Sequence, residues 1–201
     1  IDNVLVLRGD ARKADATFVP TPGGHAYASG LLKQVTQMNQ GKYLHQEHDD
    51  TFKTDFCIGV AGYPEKHFES PNLKTDFKYL KKKVDLGADF IVTQMFYDVQ
   101  KYIDFVEQCR KNDIHVPIIP GLKPITSSKQ LVSLPKLFHI DVPEALSEAV
   151  SSCKSEAEVK EVGIEWMIHQ GKELVKIGAP VLHFYTMSNP GPTKKIAEAI
   201  F

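Results

Sequence analysis

Five short apolar runs, separated by polar loops and helix-period segments, constrain this 201-residue chain more than any other feature. They are Val4-Leu5-Val6-Leu7, Phe56-Cys57-Ile58-Gly59-Val60, Phe90-Ile91-Val92-Thr93-Gln94-Met95, Val116-Pro117-Ile118-Ile119-Pro120 and Val181-Leu182-His183-Phe184-Tyr185. Nearly continuous β-branched and aromatic content fits strands covered on both faces, as in a parallel sheet. Between the runs, Tyr27, Leu31, Val35 and Met38 fall on one helical face, and so do Leu73, Phe77, Leu80 and Val84. Asn72 is placed to cap that second helix and Gly87 to end it. Asp98 caps a third helix carrying Tyr102, Phe105, Val106 and Cys109. Ser155-Glu156-Ala157-Glu158 is a capping box, opening a long helix through Val159, Val162, Trp166 and Val175 to near Gly178. Weaker signals give a helix within 126–138, a short one started by Pro143 and a last one capped by Thr193.

Five strand–helix units make an α/β protein with parallel strands. Two architectures compete, an open doubly wound sheet and a (β/α)8 barrel. No Gly-x-Gly-x-x-Gly follows a strand, which weakens the first. Polar residues cluster just after the strands, where barrels place their chemistry, yet a barrel needs eight units and about 250 residues. The 24 Lys and Arg nearly balance the 25 Asp and Glu, which excludes a broad basic surface for nucleic acid and an acidic tail. No apolar run approaches the roughly 18 residues of a membrane span. The opening Ile-Asp-Asn is no signal peptide. Cys57, Cys109 and Cys153 are not at Cys-x-x-Cys spacing, so the expectation is reduced thiols packed as small hydrophobes in a cytoplasmic, single-domain protein.

Several polar strings could carry chemistry. Arg8-Gly9-Asp10 ends the first strand as a ligand clamp or as an Arg–Asp pair that closes a turn. In Ala61-Gly62-Tyr63-Pro64-Glu65-Lys66-His67, Tyr63 could stack on a flat ring and His67 donate to a phosphate or ribose; the alternative is a rigid surface loop. Of Lys81-Lys82-Lys83, helical spacing lets at most two serve one phosphate. Gln94 offers one acceptor and two donors to a pyrimidine-like edge, or else satisfies nearby backbone. His45-Gln46-Glu47-His48-Asp49-Asp50 has metal-ligand content but lies in a long polar connection, and no metal site is expected there. An aldolase would place a Schiff-base lysine at a strand end; Lys123 is the nearest, and it falls in a loop.

Taken in order, several strings resemble the methylenetetrahydrofolate reductase family. They are Leu7-Arg8-Gly9-Asp10, Tyr27-Ala28-Ser29, Val60 to His67, Lys83 to Phe96, Ile118-Ile119-Pro120-Gly121 and His183-Phe184-Tyr185-Thr186. The resemblance implies a (β/α)8 TIM barrel with FAD at its C-terminal mouth. Residues 1–201 would be the C-terminal part of that catalytic domain, an incomplete barrel lacking the first three strand–helix units. The strand at Ile1 without an initiator Met would then be a cut edge. The implied reaction passes hydride from NADH or NADPH to FAD, then to 5,10-methylenetetrahydrofolate, giving 5-methyltetrahydrofolate for one-carbon metabolism. Implied FAD contacts are Arg8, Gly9, Asp10, Tyr27, Ala28, Tyr63 and His67, with Asp76, Tyr79, Lys82 and Lys83 at the adenosine diphosphate end. Gln94 would hold pterin and nicotinamide in turn, and Gln130 would touch folate. Asp10 would also be catalytic, stabilising the iminium cation formed when the methylene bridge opens. Met187-Ser188-Asn189-Pro190 departs from the Leu-Asn-Arg of many relatives, whose Arg contacts folate, so that contact is not implied here. The family's proton-donor glutamate has no counterpart, so the fragment alone is expected to be inactive or poor, and the complete protein a homo-oligomer. The alternatives are another flavin- or phosphate-binding barrel enzyme, or a flavin-binding module without turnover.

Overall fold

Every strand pairs in parallel with the next one in sequence, and this decides the architecture. The computed structural model describes residues 1–11, 17–44 and 52–201. Its elements are β1 (Asn3–Val6), α1 (Ala28–Asn39), β2 (Cys57–Gly62), α2 (Leu73–Asp85), β3 (Phe90–Met95) and α3 (Val99–Lys111). They continue with β4 (Ile118–Leu122), α4 (Gln130–Phe138), α5 (Glu144–Ser151), α6 (Glu156–Lys176), β5 (His183–Phe184) and α7 (Pro190–Ile200). A doubly wound sheet reverses its strand order at one point. The order here is β1-β2-β3-β4-β5 without reversal. Right-handed crossovers that all step the same way lay the helices on one face and curl the sheet. The result is an α/β curled half-barrel of five parallel strands, consistent with part of a (β/α)8 barrel, and the doubly wound alternative falls.

The two sheet faces differ as that curl requires. Ile58, Val60, Ile91, Ile118 and Leu122 are buried on the helix side. The concave side carries Leu5, Gly59 and Phe90, which meet one another across three strands: a Cβ on Gly59 would strike the Phe90 ring and Leu5. Leu5 and Leu7 stay exposed along that side, Leu7 at 52%.

Helix ends follow local chemistry. The Asn72 side chain accepts from Thr75 N–H, and Gly87 ends α2 with φ +105°. Asp98 accepts from Gln100 N–H, and Ser155 from Glu158 N–H. Glu158 answers by accepting from Lys154 N–H, one residue before the capping position. Pro143 caps α5 as expected. Two expectations change. Thr193 lies inside α7, which starts at Pro190, where a missing N–H is no loss. The chain enters that helix through Met187 and Ser188 at φ +47° and +63°. The helix expected within 126–138 begins only at Gln130. Cys109 is buried on α3, whereas Cys57 is exposed and does not pack as a core hydrophobe. Among the described residues no helix is long and apolar enough to cross a membrane, and no cluster could hold a metal ion. The string His45–Asp50 lies outside the described residues.

Candidate functional site

The C-terminal ends of β1 and β2 collect the polar strings. Arg8 does not close a turn with Asp10. Its guanidinium donates to Glu69 at 2.8 Å and lies 4.9 Å over the Phe18 ring. The bond to Glu69 holds the Arg8 pKa above its ordinary value, against a smaller loss from burial, and holds the Glu69 carboxyl below its own. Asp10 is exposed and walls a hollow of about 240 Å³ with Phe18, Pro20, Thr21, Gly24 and His25. A Cβ added at Gly9 would meet only the Phe18 ring, at 4.0 Å, so among the described residues nothing blocks an approach to this backbone. Burial raises the Tyr63 pKa, Asp76 adds to the rise and Arg8 opposes it, with Asp10 and Glu69 contributing less. Arg8, Asp10 and Tyr63 therefore share one electrostatic environment. Tyr27 also acts on Arg8; it is 66% exposed where α1 begins, next to half-buried Ala28.

The loop between β2 and α2 is fixed by its own side chains. Asp76 accepts from His67 N–H at 3.1 Å and from the Ser70 hydroxyl at 2.8 Å. Glu69 N–H donates to His67 Nδ1 at 3.2 Å, which puts the proton of a neutral ring on Nε2 as a donor. Burial lowers the His67 pKa, outweighing the nearby carboxylates, and favours that neutral ring. The ring stands edge-on to Tyr63, with centroids 4.6 Å apart, and stacks on Phe68, which stacks on His139. Along α2, Asp76, Tyr79, Lys82 and Lys83 follow at helical spacing. Tyr79 and Lys82 are exposed. Lys83 reaches β2 and donates to the Ala61 carbonyl at 2.5 Å. Burial lowers its pKa to about 8, with Asp76 opposing. Lys81 is paired with Asp85. Of the lysine run, only Lys82 makes no ion pair or side-chain bond among the described residues.

The ends of β3, β4 and β5 are organised differently. The backbone shifts register between Val92 and Met95. The Gln94 carbonyl oxygen accepts from Met95 N–H at 3.0 Å, so its acceptor satisfies backbone while its NH2 group stays unused among the described residues. Thr93 Oγ1 accepts from Gly121 N–H at 2.9 Å, and the Tyr185 hydroxyl donates to the Thr93 carbonyl at 2.8 Å. Gln130 accepts from Thr126 N–H at 2.7 Å and closes the turn before α4. The structure thus brings Arg8, Gly9, Asp10, Tyr63 and His67 together, places Gln94 at the neighbouring strand end and ties Gln130 into its own loop.

Some participants have surroundings that no motif shows. Glu69, the partner of Arg8, is 61 residues away in sequence. Glu65 accepts from Asp141 N–H at 3.0 Å, and burial lifts its carboxyl from 4.5 to about 7. Lys123, assigned to a loop by its surroundings in sequence, is buried directly after β4. Long-range pairs of this kind leave no local signal.

Residues 1–200 match the family model described as methylenetetrahydrofolate reductase. Methylenetetrahydrofolate reductase 1 of Schizosaccharomyces pombe is 37% identical over 98% of this chain and 31% of its own length. Methylenetetrahydrofolate reductase (NADH) 1 of Arabidopsis thaliana is 37% identical over 94% of the chain and 31% of its own. The 5,10-methylenetetrahydrofolate reductase of Buchnera aphidicola subsp. Acyrthosiphon pisum is 33% identical over 100% of the chain and 62% of its own. A solved protein from Clostridium thermocellum, which binds two copies of 5-methyl-5,6,7,8-tetrahydrofolic acid, aligns over 72% of this chain and 52% of its own at 21% identity and a TM-score of 0.48. The chain spans about a third of the fungal and plant relatives. With residues 1–200 matched, the chain belongs to the methylenetetrahydrofolate reductase family.

Proposed function

We propose that this chain carries the flavin- and folate-binding part of a 5,10-methylenetetrahydrofolate reductase, as the last five strand–helix units of a (β/α)8 catalytic barrel. The observation that carries this reading is the convergence of Arg8, Gly9, Asp10, Tyr63 and His67 at the C-terminal ends of β1 and β2, in a chain of this family. Strand-end residues from different units are how barrels build active sites.

FAD fits this donor set. Its diphosphate needs cations and N–H donors, and Arg8, Lys82 and His67 Nε2–H are of that kind. Its flat rings suit Tyr63, and its approach to Gly9 meets no side chain closer than Phe18. Bound there, FAD would accept hydride from NADH or NADPH and pass it to the substrate. Tyr27, Ala28, Asp76, Tyr79 and Lys83 complete the proposed cofactor set, with Asp76 acting by holding His67 and its loop. Asp10 is exposed at the end of β1 in the electrostatic range of Tyr63, and in this reading its carboxylate stabilises the iminium cation of the opened methylene bridge before hydride arrives. The Gln94 NH2, without a partner among the described residues, donates to the ring carbonyl of pterin or to the carboxamide carbonyl of nicotinamide, and Gln130 shapes the loop that meets folate. A proton donor and the remaining strands come from outside these 201 residues in this reading, so the fragment alone turns over poorly.

The test uses the protein at the full length its gene encodes. The purified protein should show flavin absorbance, bleach under NADH or NADPH and recover colour on adding methylenetetrahydrofolate. Absence of flavin overturns the reading. Bleaching without recovery would instead fit a flavin protein with another substrate.

A further inference from the structure

Lys123 is the one residue of β4 and its exit whose chemistry the fold leaves unanswered. It follows Leu122 directly, and only 6% of its surface is exposed. Burial lowers its pKa, and no carboxylate offsets that effect. Its ammonium makes no hydrogen bond or ion pair among the described residues. An ammonium taken from water without a counter-charge costs several kcal/mol, and folds rarely keep one idle. The amine is not sealed in. The fully occluded, unpartnered side-chain polar atoms among the described residues are Tyr97 Oη and Gln170 Oε1, so Lys123 Nζ keeps an opening.

Register gives that opening a direction. Val92 on the concave face pairs with Ile119, and alternation along β4 carries the same face to Gly121 and then Lys123. Gly121 pairs with His183 on β5. The Tyr185 N–H bonds the Leu122 carbonyl, and the Tyr185 ring lies against Gly121. Lys123 thus stands at the mouth, between the exits of β3 and β5.

We propose that Lys123 is a ligand-binding residue whose ammonium takes an oxyanion of the molecule filling the mouth. The identity of that molecule rests on the function proposed above, which leaves two sources of the anion. One is a carboxylate on the glutamate tail of folate. The other is a phosphate of the nicotinamide dinucleotide.

The test compares the flavin-loaded wild type with Lys123→Met, which keeps the length of the side chain, and Lys123→Arg, which keeps the charge. Calorimetry reads the binding of 5-methyltetrahydrofolate, of a tetrahydropterin lacking the glutamate, and of the oxidised dinucleotide. Lys123→Met should weaken one anionic ligand about tenfold or more, the scale of a charge-assisted bond, and Lys123→Arg should restore part of it. Weakening confined to the glutamate-bearing folate assigns the carboxylate, and weakening confined to the dinucleotide assigns the phosphate. Without ligand, Lys123→Met should melt a few degrees higher, because it removes an uncompensated buried charge. Equal binding of all three ligands by wild type and Lys123→Met overturns the proposal, and so does a lower melting temperature. Wild type that binds flavin but neither folate nor dinucleotide overturns the functional reading and the proposal with it.

Discussion

At the ends of β1 and β2, polar side chains stop short of satisfying one another. Among the described residues Asp10 has no partner, His67 presents an unused Nε2–H, and Arg8 is held by one half-exposed carboxylate and a ring. At the ends of β3, β4 and β5 the backbone is tied down instead, with the Gln94 NH2 and the Lys123 ammonium left without partners among the described residues. Thr93 bonds Gly121 with its side chain and Tyr185 with its carbonyl, and the Tyr185 ring lies so close that residue 121 has no room for a Cβ. The first region exchanges partners at little cost, and the second is locked. A sheet of parallel strands can support both because its buried helix face, not its rim, supplies most of the stability.

Two glycine substitutions give the comparison its hardest test. A Cβ at Gly121 would lie 2.2 Å from the Thr93 carbonyl oxygen and 2.6 Å from the Tyr185 ring, and the first of these is backbone that cannot swing aside. Gly121→Ala should lose about 3 kcal/mol. Thermal denaturation should then show a melting temperature lower by roughly 6–12 °C. Gly9→Ala, with only a ring at 4.0 Å, should melt within about 2 °C of wild type, as an open site predicts. Equal losses at both positions would erase the distinction between the two regions.

The second test concerns chemistry in the open region. Asp10→Asn keeps the shape of the side chain and removes the charge proposed above to face the developing cation. Stopped-flow measurement should find folate reduction slowed by about a hundredfold, with flavin reduction by the nicotinamide nearly unchanged. Equal loss in both half-reactions would make Asp10 a residue that merely places the cofactor.

Much of the locked region was legible in the sequence, and less of the open one. Continuous apolar runs gave all five strands, because burial on both faces leaves no polar alternation. Asn72, Asp98 and Ser155 gave helix starts, because a capping bond forms within three residues. Thr193 misled because the helix could start on Pro190, where the absent N–H is harmless. The open region depends on partners far apart in sequence: Arg8 with Glu69, Glu65 with Asp141 and Lys83 with the Ala61 carbonyl. No spacing rule reaches such distances. Ordered resemblance to a family named the candidate site, and only the fold shows which of its side chains already have partners.

A third test examines the joint between the two regions, where Glu65 in the β2–α2 loop accepts from Asp141 N–H ahead of α5. Burial, the largest influence, lifts this carboxyl to about 7. A carboxyl raised in the fold contributes stability that is complete below its unfolded value of about 4.5 and is lost as pH rises through 7. Glu65→Gln stays neutral and can still accept from Asp141. It should match wild type near pH 4 and exceed it by on the order of 1 kcal/mol at pH 8, after allowance for partial exposure. Denaturant titrations at both pH values check this. A variant less stable than wild type at pH 8 would mean that the charged carboxylate is the form holding the joint.

The smallest expected effect belongs to Glu69. It lies 2.8 Å from Arg8, but the two side chains are 38% and 18% exposed, so water screens the pair and its net contribution is about 0.5 kcal/mol. The Phe18 ring continues to hold the guanidinium when the carboxylate is gone. Glu69→Gln should therefore change stability by no more than about 0.5 kcal/mol. Its effect on the cofactor should have the opposite sign. A carboxylate on Arg8 competes with any phosphate that approaches the same guanidinium, and removing its charge leaves the cation to the ligand. Flavin retained through gel filtration should be equal to or greater than in wild type. Loss of flavin in Glu69→Gln would show that the Arg8–Glu69 pair works as a fixed unit, and the end of β1 would then join the locked region.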